Sequence, residues 1–196
     1  MAKRDELKRK NRSKIINAYI ELLGSKDLAQ ITVADLCQQA RVARKTLYSH
    51  FASKEEILDE VSQRVMFRGA IHAFDPSRQA NANTAERLDD TFRQLSLPFG
   101  AYQGRKIEVF VQLIQNLTTR MSTYSGLFGE YHKAAHRYFE NCRACADTRD
   151  DFDVEFVADL AVNASVGIIL SWVSDQNYPA SERMAGLKQH IASLIL

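Results

Sequence analysis

The chain predicts an all-α fold of about nine helices, a small N-terminal three-helix head followed by a larger helical body. Apolar residues recur at helical spacing almost throughout, and no segment alternates convincingly as a strand would. Only three prolines and eight glycines punctuate 196 residues, which favours long helices. The charge is unevenly shared: residues 1–54 hold 12 Lys or Arg against 5 Asp or Glu (+7), and residues 55–196 hold 14 against 19 (−5). The net charge of +2 therefore conceals a basic head on an acidic body, and a basic head suits a polyanionic partner.

The first helix shows its inward stripe at Ile15, Tyr19, Leu22 and Leu23 and closes at Gly24-Ser25-Lys26-Asp27. The second repeats the pattern at Val33, Leu36, Cys37 and Ala40; Thr32 and Asp35 before it have capping-box spacing. Arg41-Val42-Ala43 is a three-residue turn, and a third short helix runs from Arg44 to about His50. Ser53-Lys54-Glu55-Glu56 is a second capping box; it opens a long fourth helix carrying Ile57, Leu58, Val61 and Val65, which Phe74-Asp75-Pro76-Ser77 closes. Further helices cover Leu88 to Leu95, ending at Ser96-Leu97-Pro98-Phe99-Gly100, and Ile107 to Leu117, after which Gly126 and Gly129 break the chain. Tyr131 to Phe139, Phe156 to Trp172 and Leu187 to Leu194 complete the set, separated by the acidic loop Asp147 to Asp153 and by Tyr178-Pro179.

Two short helices across a tight turn form a helix-turn-helix. At about 100° per residue, Leu47 and Phe51 fall on one side of the third helix, and Lys45, Tyr48 and Ser49 on another. With Val42, the first pair docks on Leu36, Cys37 and the first helix, which leaves the other face free to enter a major groove. The amides opening the fourth helix can hold a phosphate, with Lys54 adding a full charge.

The string Val42 to Phe51 (Val-Ala-Arg-Lys-Thr-Leu-Tyr-Ser-His-Phe), followed by Ser-Lys-Glu-Glu-Ile-Leu58, resembles the recognition helix and helix 4 start of the TetR (tetracycline-repressor) family. The likeness covers about residues 12–60. It implies that Thr32, Thr46, Tyr48, His50 and Lys54 touch phosphates, while Arg44, Lys45 and Ser49 face bases or flanking backbone. Arg44 is the first choice for a guanine contact, because a guanidinium donates two hydrogen bonds to O6 and N7. Three positions depart from the family pattern: Arg41 replaces a usual turn glycine, Ala43 a frequent capping serine, and Lys45 a small residue or proline. The basic N-terminal segment of Lys3, Arg4, Lys8, Arg9, Lys10, Arg12 and Lys14 leaves two readings open: a flexible arm along the minor groove or backbone, and a merely solubilising surface.

Short, close-set first helices and longer later ones divide the chain within the fourth helix, near Ser53 to Ile71, into residues 1–54 and residues 55–196; the resemblance makes the first a DNA-binding domain and the second a ligand-binding and dimerisation domain. It implies a sequence-specific regulator, a repressor released from a palindromic operator by a small-molecule inducer that the sequence does not name. It also implies a homodimer closed by the last two helices, where Phe156, Leu160, Ala164, Gly167 and Ser171 form a small-residue stripe beside Ile168, Ile169 and Trp172. An aromatic-rich set offers a core or a pocket lining: Phe67, Ile71, Phe92, Leu95, Phe99, Tyr102, Phe110, Leu113, Leu117, Met121 and Tyr124.

Other classes find little support. There is no phosphate-binding glycine loop, nucleophile elbow or evident acid pair, and Ser171 with His190 makes no triad, so neither enzyme nor cofactor is expected. His132, His136, Cys142 and Cys145 fall within 14 residues, yet all lie on one helix or its end, where folding back onto one metal needs an extra turn. No apolar run approaches the length of a membrane span, and three cysteines make no disulfide framework, so a cytoplasmic protein is expected.

Overall fold

The computed structural model describes residues 2–79, 82–101, 105–120 and 126–196, and no strand occurs among them. Among the described residues there are nine α-helices: α1 (Ala2–Leu23), α2 (Val33–Ala40), α3 (Arg44–Tyr48), α4 (Lys54–Ala73), α5 (Thr84–Ala101), α6 (Arg105–Arg120), α7 (Leu127–Arg143), α8 (Val154–Ser174) and α9 (Ala180–Ile195). The residues group into two compact units. One is Met1–Val65 with Gln103–Met121; the other is Met66–Tyr102 with Ser122–Leu196. Helix α4 contributes to both, and so does the sequence that follows it.

In the first unit, helices as short as α2 and α3 cannot persist alone, because a helix nucleus is costly and eight or five residues repay little of it. A shared core holds them. Ile15, Ile16 and Tyr19 of α1, Leu36 of α2, Leu47 and Phe51 around α3, and Ile57 and Val61 of α4 are all essentially sealed from solvent. Each of the aliphatic and phenylalanine side chains contributes about 1.5–3 kcal/mol by leaving water. Leu113 of α6 is buried in the same cluster, with Val109 packed against it. The aromatic-rich set is thus divided: Phe110, Leu113 and Leu117 belong to this unit, and Phe67, Phe92 and Leu95 to the other. Tyr102, Met121 and Tyr124 lie outside the described residues, as do the side chains of Lys3 and Arg4.

The second unit is built on α7, α8 and α9, with α5 packed against α9. Phe74 is sealed among Tyr131, Tyr138 and Phe139, with ring centroids 5.3–6.0 Å apart. The acidic loop is put to use at both ends. Asp147 accepts from the Thr84 amide (2.6 Å) and hydroxyl (2.8 Å) at the start of α5, and Asp153 caps α8 by accepting from the Phe156 amide (3.1 Å). Both contacts satisfy donors that a helix start leaves free.

Several sequence expectations need correction. Pro98 lies inside α5 rather than beyond it. It removes only one ladder bond, the one an amide at this position would give to the Gln94 carbonyl, in the last turn. Gly126 sits just before α7 at φ 95°, where a side chain would be strained, while Gly129 is helical. The basic N-terminus is the first half of α1, not a flexible arm. Helix α8 is long and apolar enough to satisfy the length and composition of a membrane span, contrary to the expectation that no segment would be. Much of that apolarity is core: Ala161, Val162, Ile168, Ile169 and Trp172 are buried in the unit formed with α7 and α9. A fully buried hydrogen bond from Tyr131 to Ser165 (2.8 Å) joins α7 to α8. Ile168, Ile169 and Trp172 therefore point inward, while Phe156 and Gly167 on the small-residue stripe are exposed.

Candidate nucleic-acid interface

Helix α2 begins with the reciprocal cap that Thr32 and Asp35 predict. The Thr32 hydroxyl accepts from the Asp35 amide (3.1 Å), and the Asp35 carboxylate accepts from the Thr32 amide (2.9 Å) and hydroxyl (2.8 Å). Lys26 donates to the other carboxylate oxygen at 2.6 Å. Chiefly through Lys26, then through Thr32, the Asp35 carboxyl is held down to about 2. Thr32 is exposed at the helix N-terminus, with its hydroxyl proton given to Asp35.

The turn to α3 is a Schellman closure carried by a residue with a side chain. Arg41 adopts φ 54°, ψ 48°; its amide reaches the Gln38 carbonyl (3.2 Å), and the Val42 amide reaches the Cys37 carbonyl (3.0 Å). Both geometry and hydrogen bonds are those a glycine would give, at a left-handed cost of about 1–2 kcal/mol. Ala43 then begins α3 with no side-chain cap.

Leu47 is fully buried and Phe51 nearly so, which fixes the rotation of α3. Its opposite face presents Arg44, Lys45, Tyr48 and Ser49, all exposed. The Arg44 guanidinium lies 5.7 Å from the Tyr48 ring centre, so cation and ring stand side by side. The Ser49 hydroxyl donates to the Thr46 carbonyl (2.7 Å), leaving its lone pairs to accept. Thr46 and His50 are half-buried at the edges of this face. A helix seated on apolar contacts, with cations and hydroxyls outward, can donate to phosphate oxygens and to base edges alike.

Lys54 is engaged internally. Its ammonium donates to the Ile31 carbonyl at 2.6 Å and is 3.4 Å from that of Leu28, so it ties the start of α4 to the segment just before Thr32. The expected second capping box is offset by one residue: Ser53 accepts from the Glu56 amide (3.2 Å), but Glu56 accepts from Ala52 (2.6 Å) rather than Ser53.

Sequence reasoning counted Arg12 with the basic N-terminal segment and missed its inward role. Its guanidinium lies 4.2 Å from the Phe51 ring centre, donates to the His50 carbonyl at 2.7 Å and pairs with Glu60, with Glu56 at 3.8 Å. It thereby joins α1, the end of α3 and α4. The signal was available, since Arg12, Ile16, Tyr19 and Leu23 recur at helical spacing and place Arg12 on the inward stripe.

The His and Cys residues of α7 do not converge on one point. His132 meets Asp159 of α8 at 3.0 Å, and His136 faces Glu140. Cys142 is sealed, with burial pushing its thiol up to about 12, and Cys145 is half-buried. Among the described residues no group of three or more His, Cys, Asp or Glu side chains is arranged to hold a metal ion.

A basic helical head with a seated, outward-facing third helix defines a helix-turn-helix DNA-binding protein. Residues 15–61 match the model of bacterial regulatory proteins of the tetR family. A Bacillus subtilis relative, the uncharacterized HTH-type transcriptional regulator YxbF, is 36% identical over 56 residues. That match spans 28% of this chain and only 15% of the relative's length. The fold extends further. A TetR transcriptional regulator from Rhodococcus sp. RHA1 superposes with a TM-score of 0.60 at 17% identity, covering 95% of this chain and 96% of its own. Thermus thermophilus FadR, a TetR-family transcriptional repressor solved with lauroyl-CoA, gives 0.67 at 16%, covering 92% and 93%. FadR from Bacillus subtilis, solved with stearoyl-CoA, gives 0.57 at 20%, covering 94% and 99%.

Proposed function

We propose that this transcriptional regulator is a homodimeric repressor that occupies a palindromic operator and leaves it when a small molecule binds the body. In this reading residues 1–54 bind DNA, with Arg44, Lys45 and Ser49 toward the bases and Thr32, Thr46, Tyr48 and His50 toward phosphates. Lys54 acts by holding the Thr32 segment in place, with its remaining N–H available to the backbone. Residues 55–196 bind ligand and dimerise. The observation that carries the proposal is the exposed face of α3, where Arg44 and Tyr48 stand on a helix anchored by buried Leu47 and Phe51.

Dimerisation draws support from α8, whose stripe of Phe156, Leu160, Ala164, Gly167 and Ser171 is exposed or half-buried while the opposite face fills the core. Phe156, at 58% exposure, is an apolar side chain awaiting cover. The ligand-responsive part draws on the two FadR neighbours, each solved with an acyl-CoA. Selecting bound fragments from random duplex DNA tests the whole: the expected result is a palindrome with half-sites about one helical turn apart. Fragments without a shared sequence would refute operator recognition.

A further inference from the structure

The end of α7 carries Cys142-Arg143-Ala144-Cys145, two thiols three residues apart in unlike surroundings. The Cys145 amide donates to the Cys142 carbonyl at 2.8 Å, which closes a four-residue turn. The α-carbons at the ends of such a turn lie within about 7 Å, and a disulfide spans about 4.4–6.8 Å. The Thr148 hydroxyl, 2.7 Å from the Cys142 carbonyl and 3.0 Å from that of Cys145, pins the turn from the loop that follows.

Cys142 is fully buried. Burial, and after it the neighbouring Cys145, push its thiol up to about 12, so at neutral pH it stays protonated and away from solutes. Cys145 is half-buried, with its Sγ 3.5 Å from a terminal nitrogen of Arg87 on α5 and 3.3 Å from the Asn141 carbonyl. As a thiol it donates to that carbonyl; as a thiolate it accepts from the guanidinium. Arg87 is itself oriented, because its Nε donates to the Ala82 carbonyl at 3.0 Å. The C-terminal end of α7 adds about half a negative charge, which opposes a thiolate. The full positive charge of Arg87, in contact with the sulfur, outweighs it. The Asp147 carboxylate, two residues on, is directed at the Thr84 amide and hydroxyl.

We infer that Cys142 and Cys145 form a reversible redox pair, in which a hydroperoxide oxidises Cys145 and Cys142 then closes a disulfide with it. The Cys145 thiolate attacks the OH-bearing oxygen of the hydroperoxide. The O–O bond breaks, that oxygen stays on sulfur as a sulfenic acid, and the departing alkoxide or hydroxide takes a proton from water. The Cys142 sulfur attacks the Cys145 sulfur, the S–O bond breaks, and the oxygen leaves as water with the Cys142 proton. The two sulfurs together lose two electrons and the hydroperoxide gains them; a dithiol reductant reverses the bond by exchange. The buried position of Cys142 suits the second role, since its only partner is three residues away. Its side chain needs to turn only within the last turn of α7, where helices open most readily.

The test is peptide mapping of the full chain after hydrogen peroxide, with remaining thiols alkylated in denaturant and trypsin used without reductant. Cleavage after Arg143 separates Cys142, in residues 138–143, from Cys145, in residues 144–149, so only a disulfide keeps the two peptides joined. The joined pair should be the main product, and a dithiol should restore both peptides. Cys37, packed against the core of the other unit, should remain alkylated. In Cys142→Ala, oxidation of Cys145 should stop at the sulfenic acid, trapped as its dimedone adduct. Arg87→Gln should slow loss of the Cys145 thiol at least about fivefold, and Arg87→Lys, which keeps the cation, should lose less. Peptide 144–149 joined to itself or to the Cys37 peptide, oxidation of Cys37 ahead of Cys145, or an undiminished rate in Arg87→Gln would each overturn the pair.

Discussion

Arg44 and Lys54 are both cations of the head, but their surroundings set them different tasks. Arg44 is exposed beside Tyr48, whereas Lys54 is hydrogen-bonded to the Ile31 carbonyl. Arg44→Ala should cost about 1–3 kcal/mol at the preferred base and relax preference there. Lys54→Ala should weaken all sequences alike and lower the unfolding midpoint, because it frees the segment that positions Thr32. Binding titrations over a panel of single-base operator variants distinguish them; a uniform loss from Arg44→Ala would remove it from base reading. Arg12→Ala should destabilise the head by about 1–2 kcal/mol, the sum of a partly exposed ion pair, a ring contact and a hydrogen bond, measured by urea unfolding. Asp35 adds a pH signature. Its folded carboxyl sits at about 2 against an ordinary 3.8, so its stabilisation is complete above about 4 and is lost as pH falls through about 2. The gap in unfolding midpoint between wild type and Asp35→Asn should therefore close across that window; a gap that stays constant would show that the cap does not act through the carboxylate's charge.

At the scale of elements, the turn from α2 to α3 shows what the sequence makes legible. Hydrophobic spacing predicted both helices and the docking of Leu47 and Phe51, and Thr32 with Asp35 announced the cap that the structure shows. Arg41 was legible as a strain because a left-handed residue closes this turn whatever its side chain. Arg41→Gly should thus stabilise the head by about 1 kcal/mol net, the gain in backbone strain offset by glycine's freedom in the unfolded chain. Ala43→Ser should add a further ~1 kcal/mol by capping α3. Thermal unfolding of the two variants reads this directly, and a lower midpoint for Arg41→Gly would show that the arginine makes a compensating contact. What spacing could not show was partner choice. Lys54 near Ile31, Arg12 against Phe51 and Asp147 at Thr84 join residues 23, 39 and 63 positions apart, and no local pattern encodes such pairings. Pro98 was misread for a related reason: a breaker near a helix end costs one bond, and packing of the buried Leu88, Phe92 and Leu95 outweighs it.

For the whole molecule, the question is what covers α8. Its inward face is complete, with Trp172 edge-on to Phe99 at 5.2 Å and Ile168 and Ile169 buried, so the exposed stripe is not a defect of the core. Small residues at Ala164, Gly167 and Ser171 would let a second helix approach closely, and a two-fold partner would present the same surface in return. The proposed operator then constrains the dimer: two copies of α3 must reach major grooves about 34–36 Å apart, so losing the interface should cost palindrome binding far more than half-site binding. Phe156→Arg places a charge at the stripe's most exposed apolar position without touching the core. Sedimentation should then show a monomer with unchanged helicity. The same variant should bind a single half-site as wild type does while losing at least about a hundredfold on the palindrome, because the second contact is no longer intramolecular. A variant that stays dimeric with full palindrome affinity would place the interface on a different face.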